Sequence, residues 1–262
     1  LTLLPESIGD LDNLETIILH HNQITSLPES FGNLSSLFSL NLGYNTLSSF
    51  NVDGEYNFPH LNTLDLQWNN ISTFPIVSTF PNLVTINLSG NTLSGTFPTE
   101  LQGLDNLSYL FLYRNLYEGE IPSWLFGLPN LSVLKLQHNN FSGEIPPEIC
   151  DLNTTWSLIN SYMESGIYDN GLCPPYPECI GEQDTSDCPD DGGDDDDDDD
   201  DDDEDGPPCT DVEVELWGQC YNINTSMLGL NNFNDPDNQL TGEIPSEIGQ
   251  LTNLTWLDLG YN

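Results

Sequence analysis

The sequence predicts an α/β-type solenoid with a concave parallel β-sheet and a convex side that is mostly irregular. Three observations predict this fold. Leucines alternate within short phrases, as in a strand with one buried face. Proline and glycine punctuate the segments between phrases, which favours turns and extended chain. The phrase L-x-x-L-x-L-x-x-N recurs every 22 to 24 residues, beginning at Leu14, Leu37, Leu61, Leu83, Leu107 and Leu131.

An asparagine closes each phrase with the same spacing. A carboxamide carries two donors and one acceptor, so it can satisfy backbone groups where the chain turns off a strand. We therefore interpret this column as structural, holding adjoining coils together, and not as a catalytic or ligand site. The column comprises Asn22, Asn45, Asn69, Asn91, Asn115 and Asn139.

The second halves of the later repeats follow a common pattern. They read LSGTFP from Leu93, YEGEIP from Tyr117, FSGEIP from Phe141 and LTGEIP from Leu240. Together with the phrases above, they resemble the plant-type, extracellular class of the leucine-rich-repeat family. The earlier segments ITSLP and ISTFP resemble a shorter subtype, and such mixtures are similar to secreted bacterial repeat proteins. The resemblance implies a right-handed superhelix with a 3-10 or polyproline convex side, in a secreted or cell-surface protein.

Changes in composition divide the chain into five segments. Residues 1–152 are predicted to be the repeat array, and 153–188 a cysteine-rich C-terminal cap. Residues 189–208 are an acidic poly-Asp segment with nothing apolar to bury. The ELWGQC motif resembles the N-terminal cap of an array, so 209–237 are predicted to cap a second array that starts at 238–262.

Six cysteines, all near the predicted caps, indicate an oxidising compartment. The cap resemblance implies a Cys209–Cys220 disulfide. The other four cysteines allow three connectivities, of which we favour Cys173–Cys179 with Cys150–Cys188. The absence of CxxC spacing argues against zinc. Glycosylation sequons occur at Asn33, Asn70, Asn87, Asn106, Asn130, Asn140, Asn153, Asn224 and Asn253, although the repeat consensus itself generates such sequons.

The charge excludes several classes of partner. The chain has 43 acidic residues against 2 basic ones, a formal net charge of −41. Nucleic-acid binding needs Lys and Arg to replace phosphate counterions, so no nucleic-acid partner is expected. The apolar runs are too short for membrane insertion. No motif joins a nucleophile to a base, so we predict no enzymatic activity and no organic cofactor.

The acidic segment predicts diffuse calcium binding, because hard cations take several carboxylate oxygens and would relieve the repulsion. The alternative is a solvated acidic linker. An EF-hand is excluded, since its twelfth position would be Val212. The candidate ligands are Asp190, Asp191, Asp194, Asp195, Asp196, Asp197, Asp198, Asp199, Asp200, Asp201, Asp202, Asp203, Glu204 and Asp205.

The variable positions of the phrases should face solvent on the concave side. Exposed aromatic residues are typical of recognition surfaces, although they also favour strands. The two basic residues fall on adjacent predicted strands and could form a cationic spot. An extracellular protein or glycan could bind this face. The candidate ligand-binding residues are Tyr44, Trp68, Tyr109, Phe111, Tyr113, Arg114, Lys135 and His138, beside His20, His21, Trp256 and Tyr261.

The two chain ends are complementary, since residues 1–13 form the back half of a repeat and 254–262 a front half. The chain is then either a piece of a longer protein or a unit that stacks on itself head to tail. We predict a structural protein that assembles end to end and binds calcium; the alternative is a ligand-recognition module, such as a receptor ectodomain or enzyme inhibitor. The predicted assembly residues are Leu1, Leu4, Ile8, Leu14, Ile17, Leu254, Leu257 and Leu259.

Overall fold

The computed structural model describes residues 1–50, 56, 58–152, 165–173, 176–180, 213–217, 219–222, 224–229 and 240–262. No helix in these ranges is long and apolar enough to cross a membrane. The strands are β1 (Thr16–Ile18), β2 (Ser39–Asn41), β3 (Thr63–Asp65), β4 (Thr85–Asn87), β5 (Ser94–Gly95), β6 (Tyr109–Phe111), β7 (Leu116–Gly119), β8 (Val133–Lys135), β9 (Asn140–Glu144), β10 (Gly171–Cys173), β11 (Glu213–Leu216), β12 (Gln219–Asn222), β13 (Met227–Gly229) and β14 (Trp256–Asp258).

Eight strands form one parallel sheet in the order β13-β14-β1-β2-β3-β4-β6-β8. Each strand pairs with the next in strict repeat register; Ile17, for example, pairs with Leu40. The alternating apolar residues point inward, and Leu14, Ile17 and Leu19 are completely buried. Every coil therefore buries its apolar side against its two neighbours, as the repeat pattern predicts.

Short 3-10 helices complete the coils opposite the sheet. Nearly all begin directly after a proline, whose fixed φ suits the extended approach to the helix, as at Pro28 with φ −69°. The helices are Glu6–Asp10, Glu29–Asn33, Val77–Thr79, Thr99–Leu101, Ser123–Gly127, Pro147–Asp151, Glu178–Ile180 and Ser246–Gln250. The predicted 3-10 character of the convex side is confirmed.

A second parallel sheet has the order β10-β9-β7-β5. Strands β5, β7 and β9 come from the segments LSGTFP, YEGEIP and FSGEIP, whereas β10 does not carry this pattern. The glycines of these three segments adopt left-handed backbone conformations, with φ of 86° at Gly95, 78° at Gly119 and 85° at Gly143. Residues with a side chain are strained there. The glycine of this pattern is therefore a requirement of the backbone at this bend.

The asparagine column joins the coils as predicted. The Asn69 Oδ1 accepts the Leu47 N–H at 3.0 Å, and its Nδ2 donates to the Leu42 carbonyl of the preceding coil at 2.9 Å. The same Nδ2 also bonds its own turn at Leu66. Equivalent bonds run from Asn262 through Asn22 to Asn170. This column of asparagines, which we call the asparagine ladder, is therefore longer than the sequence indicated.

The two half-repeats at the chain ends meet within a single chain. Strand β14 pairs with β1, placing Leu257 opposite Ile17. The Leu1 nitrogen lies 2.9 Å from Asn22 Oδ1 and 3.2 Å from the Asn262 carbonyl oxygen. The predicted stacking of the assembly residues is present, and all eight are buried. It forms in cis, however, so residues 240–262 add a coil in front of the first array, not the start of a separate one.

The far end of the array differs from the prediction in its disulfide. Cys150 is bonded to Cys179, with their Cα atoms 5.6 Å apart, so neither Cys173–Cys179 nor Cys150–Cys188 forms. Residues 165–173 continue the array as a further coil: Gly166 bridges to Lys135, and Cys173 ends β10 beside β9. The helices Pro147–Asp151 and Glu178–Ile180 then pack together, which brings their cysteines into contact. The Cys209–Cys220 prediction lies outside the described residues.

Candidate functional site

The residue immediately before each ladder asparagine adopts a left-handed conformation. Its φ lies between 51° and 60° in every coil except one, where the residue is Gly90 with φ 64°. This conformation is uncommon for residues with a side chain. It recurs because the chain leaves the sheet through the same turn in each coil. The side chains therefore align along one rim of the concave face: Tyr261, His21, Tyr44, Trp68, Arg114, His138 and Asp169.

Four of these side chains stack on one another, and we call Tyr261, His21, Tyr44 and Trp68 the aromatic ladder. The His21 ring lies 4.4 Å from Tyr261 and 4.1 Å from Tyr44, nearly parallel to both. Tyr44 stacks in turn on Trp68 at 6.0 Å. These spacings follow the roughly 4.8 Å between parallel strands. The Tyr44 side chain is 40% exposed, so the ladder presents a continuous aromatic surface to solvent.

Arg114 lies next to Trp68, at one end of the aromatic ladder. Its guanidinium carbon lies 5.7 Å from the Trp68 ring centroid, within range for a cation–π contact. The coil between them carries Gly90, where an added Cβ would come within 2.6 Å of the indole. Glycine thus makes room for Trp68 to reach Arg114. Arg114 is exposed and has no ion-pair partner among the described residues.

The histidines of the aromatic ladder are close neighbours. The His20 ring contacts Tyr261 edge-on at 4.7 Å and His21 at 5.4 Å. Burial, and secondarily the charge of His20, lowers the pKa of His21. His21 therefore favours its neutral form, which allows close stacking between two phenol rings without desolvating a charge.

The predicted cationic spot does not form, because only one of its two residues is accessible. Lys135 is 5% exposed, and its strand neighbours Val133 and Gln137 are also buried. The array continues beyond β8, so this strand is not the open end of the concave face. His138 already contacts two other side chains: its Nδ1 lies against an Asp169 carboxylate oxygen, and its ring contacts Tyr168 edge-on. Tyr109 and Phe111 on β6, and Tyr113 just after it, are half-buried.

One row across the middle of the concave sheet places a carboxylate between two amides. Its members occupy equivalent positions on five consecutive strands, each in register with the next. We call it the central row: Ile18, Asn41, Asp65, Asn87 and Phe111. Within these five strands a carboxylate lies at the centre, an amide stands on each side of it, and an apolar residue follows each amide. The row continues beyond them to Asp258 on β14 and Lys135 on β8, both of which are buried.

Asp65 is held in place by its neighbours. Its Oδ1 accepts the Gln67 N–H and its Oδ2 accepts the Gln67 side-chain Nε2, both at 3.1 Å. Burial raises the pKa of Asp65 to about 6, and hydrogen bonds from Gln67 and Asn87 partly offset the rise. Within the described part of the chain, no ion pair joins Asp65 to a cationic side chain.

A second row of asparagines was not predicted. Just before four strands, β1, β4, β6 and β8, a side-chain Nδ2 donates to a backbone carbonyl of the adjacent coil, as from Asn82 to Pro59 at 2.7 Å. The signal was present as the recurring Asn-Leu dipeptide. The row comprises Asn13, Asn82, Asn106 and Asn130. Two of its members, Asn106 and Asn130, are also sequons.

The predicted glycosylation sites lie mostly within the described residues, whereas the predicted calcium ligands do not. The sequon asparagines are exposed, apart from Asn87, which is half-buried in the central row, and Asn153, which lies outside the described residues. The candidate calcium ligands 190–205 also lie outside them. Elsewhere in the described ranges, no group of three His, Cys, Asp or Glu side chains could hold a metal ion.

Comparisons with known proteins agree with this geometry. A leucine rich repeat family model matches residues 2–47, 12–71 and 81–141. No curated protein sequence matches the chain significantly. Among solved structures, the PEPR1–AtPEP1 complex is 31% identical with a TM-score of 0.57, covering 68% of this chain and 25% of that one.

Two further structures extend the comparison. The ectodomain of the Arabidopsis receptor kinase HAESA, bound to an IDA peptide hormone, is 28% identical with a TM-score of 0.51; it covers 66% of this chain and 32% of that one. A repeat protein of Leptospira interrogans is 27% identical with a TM-score of 0.58, covering 99% of this chain and 53% of that one. The chain thus spans about a quarter to a half of these proteins. With the repeats, the asparagine ladder and the family match, the chain belongs to the leucine-rich repeat family.

Proposed function

We propose that the chain is an extracellular recognition module that binds a peptide or protein segment on its concave face. The observation that carries this proposal is the aromatic ladder ending at the exposed Arg114. The hydrophobic core is complete without these side chains, since the inward leucines and the asparagine ladder already join the coils. Aromatic residues and arginine are also the types enriched where proteins bind partners.

Two observations support the extracellular and peptide-binding parts of the proposal. The Cys150–Cys179 disulfide suits an oxidising compartment. The HAESA structure is of a receptor ectodomain in complex with a peptide hormone ligand, and the PEPR1 structure contains AtPEP1. The proposal is therefore of a binding module, and it assigns no reaction to the chain.

A random dodecapeptide display library is a direct test of the proposal. We expect the wild-type protein to enrich specific peptides and the double variant Tyr44→Ala, Trp68→Ala to lose them by at least tenfold. Leu116→Ala, which removes an exposed apolar side chain outside the concave sheet, is the matched control and should retain binding. Equal melting temperatures would show that all variants are folded. No enrichment, or enrichment that survives loss of the ladder, contradicts the proposal.

Arg114 should contribute when the ligand carries an anionic group. The loss of a charge-assisted hydrogen bond in Arg114→Ala would weaken binding by about 1.5–3 kcal/mol. Arg114→Lys retains the charge but loses the planar fork, so it should recover only part of the affinity. Wild-type affinity in Arg114→Ala, measured with the enriched peptides, would remove this residue from the site.

End-to-end assembly and calcium binding are a second proposal, drawn from the sequence. The strand pairing between β14 and β1 supports it only in one form: two chains could exchange residues 238–262 and make the same contact in trans. Calcium on the acidic segment would reduce the repulsion between such chains. Light scattering at high protein concentration, with and without calcium, tests both parts. A monomer under both conditions excludes assembly.

A further inference from the structure

The central row offers a cation-binding position between two apolar ones. Asp65 lies two strands from Ile18 on one side and two strands from Phe111 on the other. At about 4.8 Å per strand, each apolar residue is about 10 Å from the carboxylate along the solenoid axis. An extended chain advances about 3.3 Å per residue. Three ligand residues therefore cover the distance from Asp65 to either end.

The fold does not require a charge at position 65. Asn41 occupies the equivalent position on β2, and its Oδ1 accepts the Gly43 N–H at 3.0 Å. Asn87 does the same on β4 for the Ser89 N–H at 3.2 Å. An amide thus accepts the equivalent backbone N–H on both sides, and the carboxylate of Asp65 adds a negative charge and an acceptor for the Gln67 side chain.

That charge is placed where a ligand cation would interact strongly with it. It is partly buried, and among the described residues no ion pair joins it to a cationic side chain. A carboxylate has about four lone-pair sites, so the two bonds from Gln67 and the one from Asn87 leave capacity for a further donor. The net charge of −41 would also attract basic segments toward the molecule.

We propose that the central row recognises an extended peptide segment with lysine or arginine at its centre and an apolar residue three positions away on each side, and that Asp65 selects the basic residue. This inference rests on the proposed function, because it specifies the ligand of the same concave face. The apolar residues of the ligand contact Ile18 and Phe111. Its intervening residues lie over the amides of Asn41 and Asn87, which can bond peptide groups of any sequence.

Selection from a random peptide library by wild-type protein and by Asp65→Asn tests the inference. The protein should be made in a bacterial periplasm, so that Asn87 carries no glycan. Asp105→Asn is the charge-matched control, since it removes one exposed carboxylate outside the concave sheet. We expect wild type and Asp105→Asn to enrich Lys or Arg flanked by apolar residues at three-residue spacing. Asp65→Asn should keep the apolar preference and lose the basic one.

A synthetic peptide from the enriched pool completes the test. Replacing its central basic residue by glutamine should weaken binding at least tenfold to wild type and less than threefold to Asp65→Asn, which isolates the pair as a double-mutant cycle. Ladder-dependent binding with no basic preference, or a preference that survives Asp65→Asn, would overturn the inference and leave the proposed function standing. The absence of any enriched peptide would overturn both.

Discussion

Replacing Asp65 by asparagine should stabilise the fold at neutral pH and have little effect near pH 3. Burial raises the pKa of Asp65 from 3.8 to about 6. Between these values the folded chain holds a proton that the unfolded chain has released. Its stability therefore falls as pH rises from about 4 to about 6, and the penalty is complete above that range. A shift of about two units corresponds to about 3 kcal/mol.

The expected increase in the free energy of unfolding of Asp65→Asn at pH 7 is somewhat smaller, about 1–3 kcal/mol, because asparagine loses part of the hydrogen bonding to Gln67. Urea unfolding of wild type and Asp65→Asn at several pH values measures the difference directly. Titration of the many other carboxylates is common to both proteins and cancels. Asp105→Asn corrects for the simple loss of one negative charge. An equal gain from Asp105→Asn, or a gain that persists at pH 3, would show that Asp65 is not destabilised by burial.

The remaining predictions concern packing and ions. Asn69→Ala should lower the free energy of unfolding by about 2–4 kcal/mol, because buried backbone groups lose their partners; its exposed neighbour variant Asn70→Ala should be nearly neutral in the same urea titration. Gly90→Ala should be at least about 1 kcal/mol worse than Gly103→Ala and should change tryptophan fluorescence, since only the first places a Cβ against an indole. Leu257→Asp buries an unpaired charge beside β1 and should cost several kcal/mol in thermal melts. EDTA should lower the melting temperature in low salt if the acidic segment binds calcium; an unchanged calorimetric transition contradicts that.

The repeat architecture could be predicted in detail because its information is local. Each coil contacts mainly the coils beside it, so the period of the leucines sets the strand register directly. The asparagine ladder followed for the same reason: its partners lie in adjoining coils. The complementarity of the chain ends was also visible. A sequence pattern shows that two half-repeats fit, however, and not whether they meet within one chain or between two.

The misjudged positions lie where the period is lost or where side-chain contacts decide. Residues 153–180 have no regular repeat, so neither the Cys150–Cys179 disulfide nor the burial of Lys135 could be read from spacing. The aromatic ladder depends on the left-handed turn before each asparagine, which aligns the rings. The sequence showed at Tyr44 and Trp68 that aromatic residues recur at one repeat position. It did not show that their rings stack, or that Gly90 leaves space for Trp68 to reach Arg114.

The coils assign stability and recognition to different rows of residues. The inward leucines and the two asparagine rows join each coil to its neighbours, whatever stands at the outward positions. An outward residue can therefore reduce stability without disrupting the fold, provided that its neighbours supply the local bonds, as Gln67 does for Asp65. A partly buried carboxylate between two asparagines that accept the equivalent backbone N–H is unfavourable for the isolated chain. Its charge becomes favourable only when a cation arrives, which makes the central row the place where ligand binding and folding stability should be most strongly coupled.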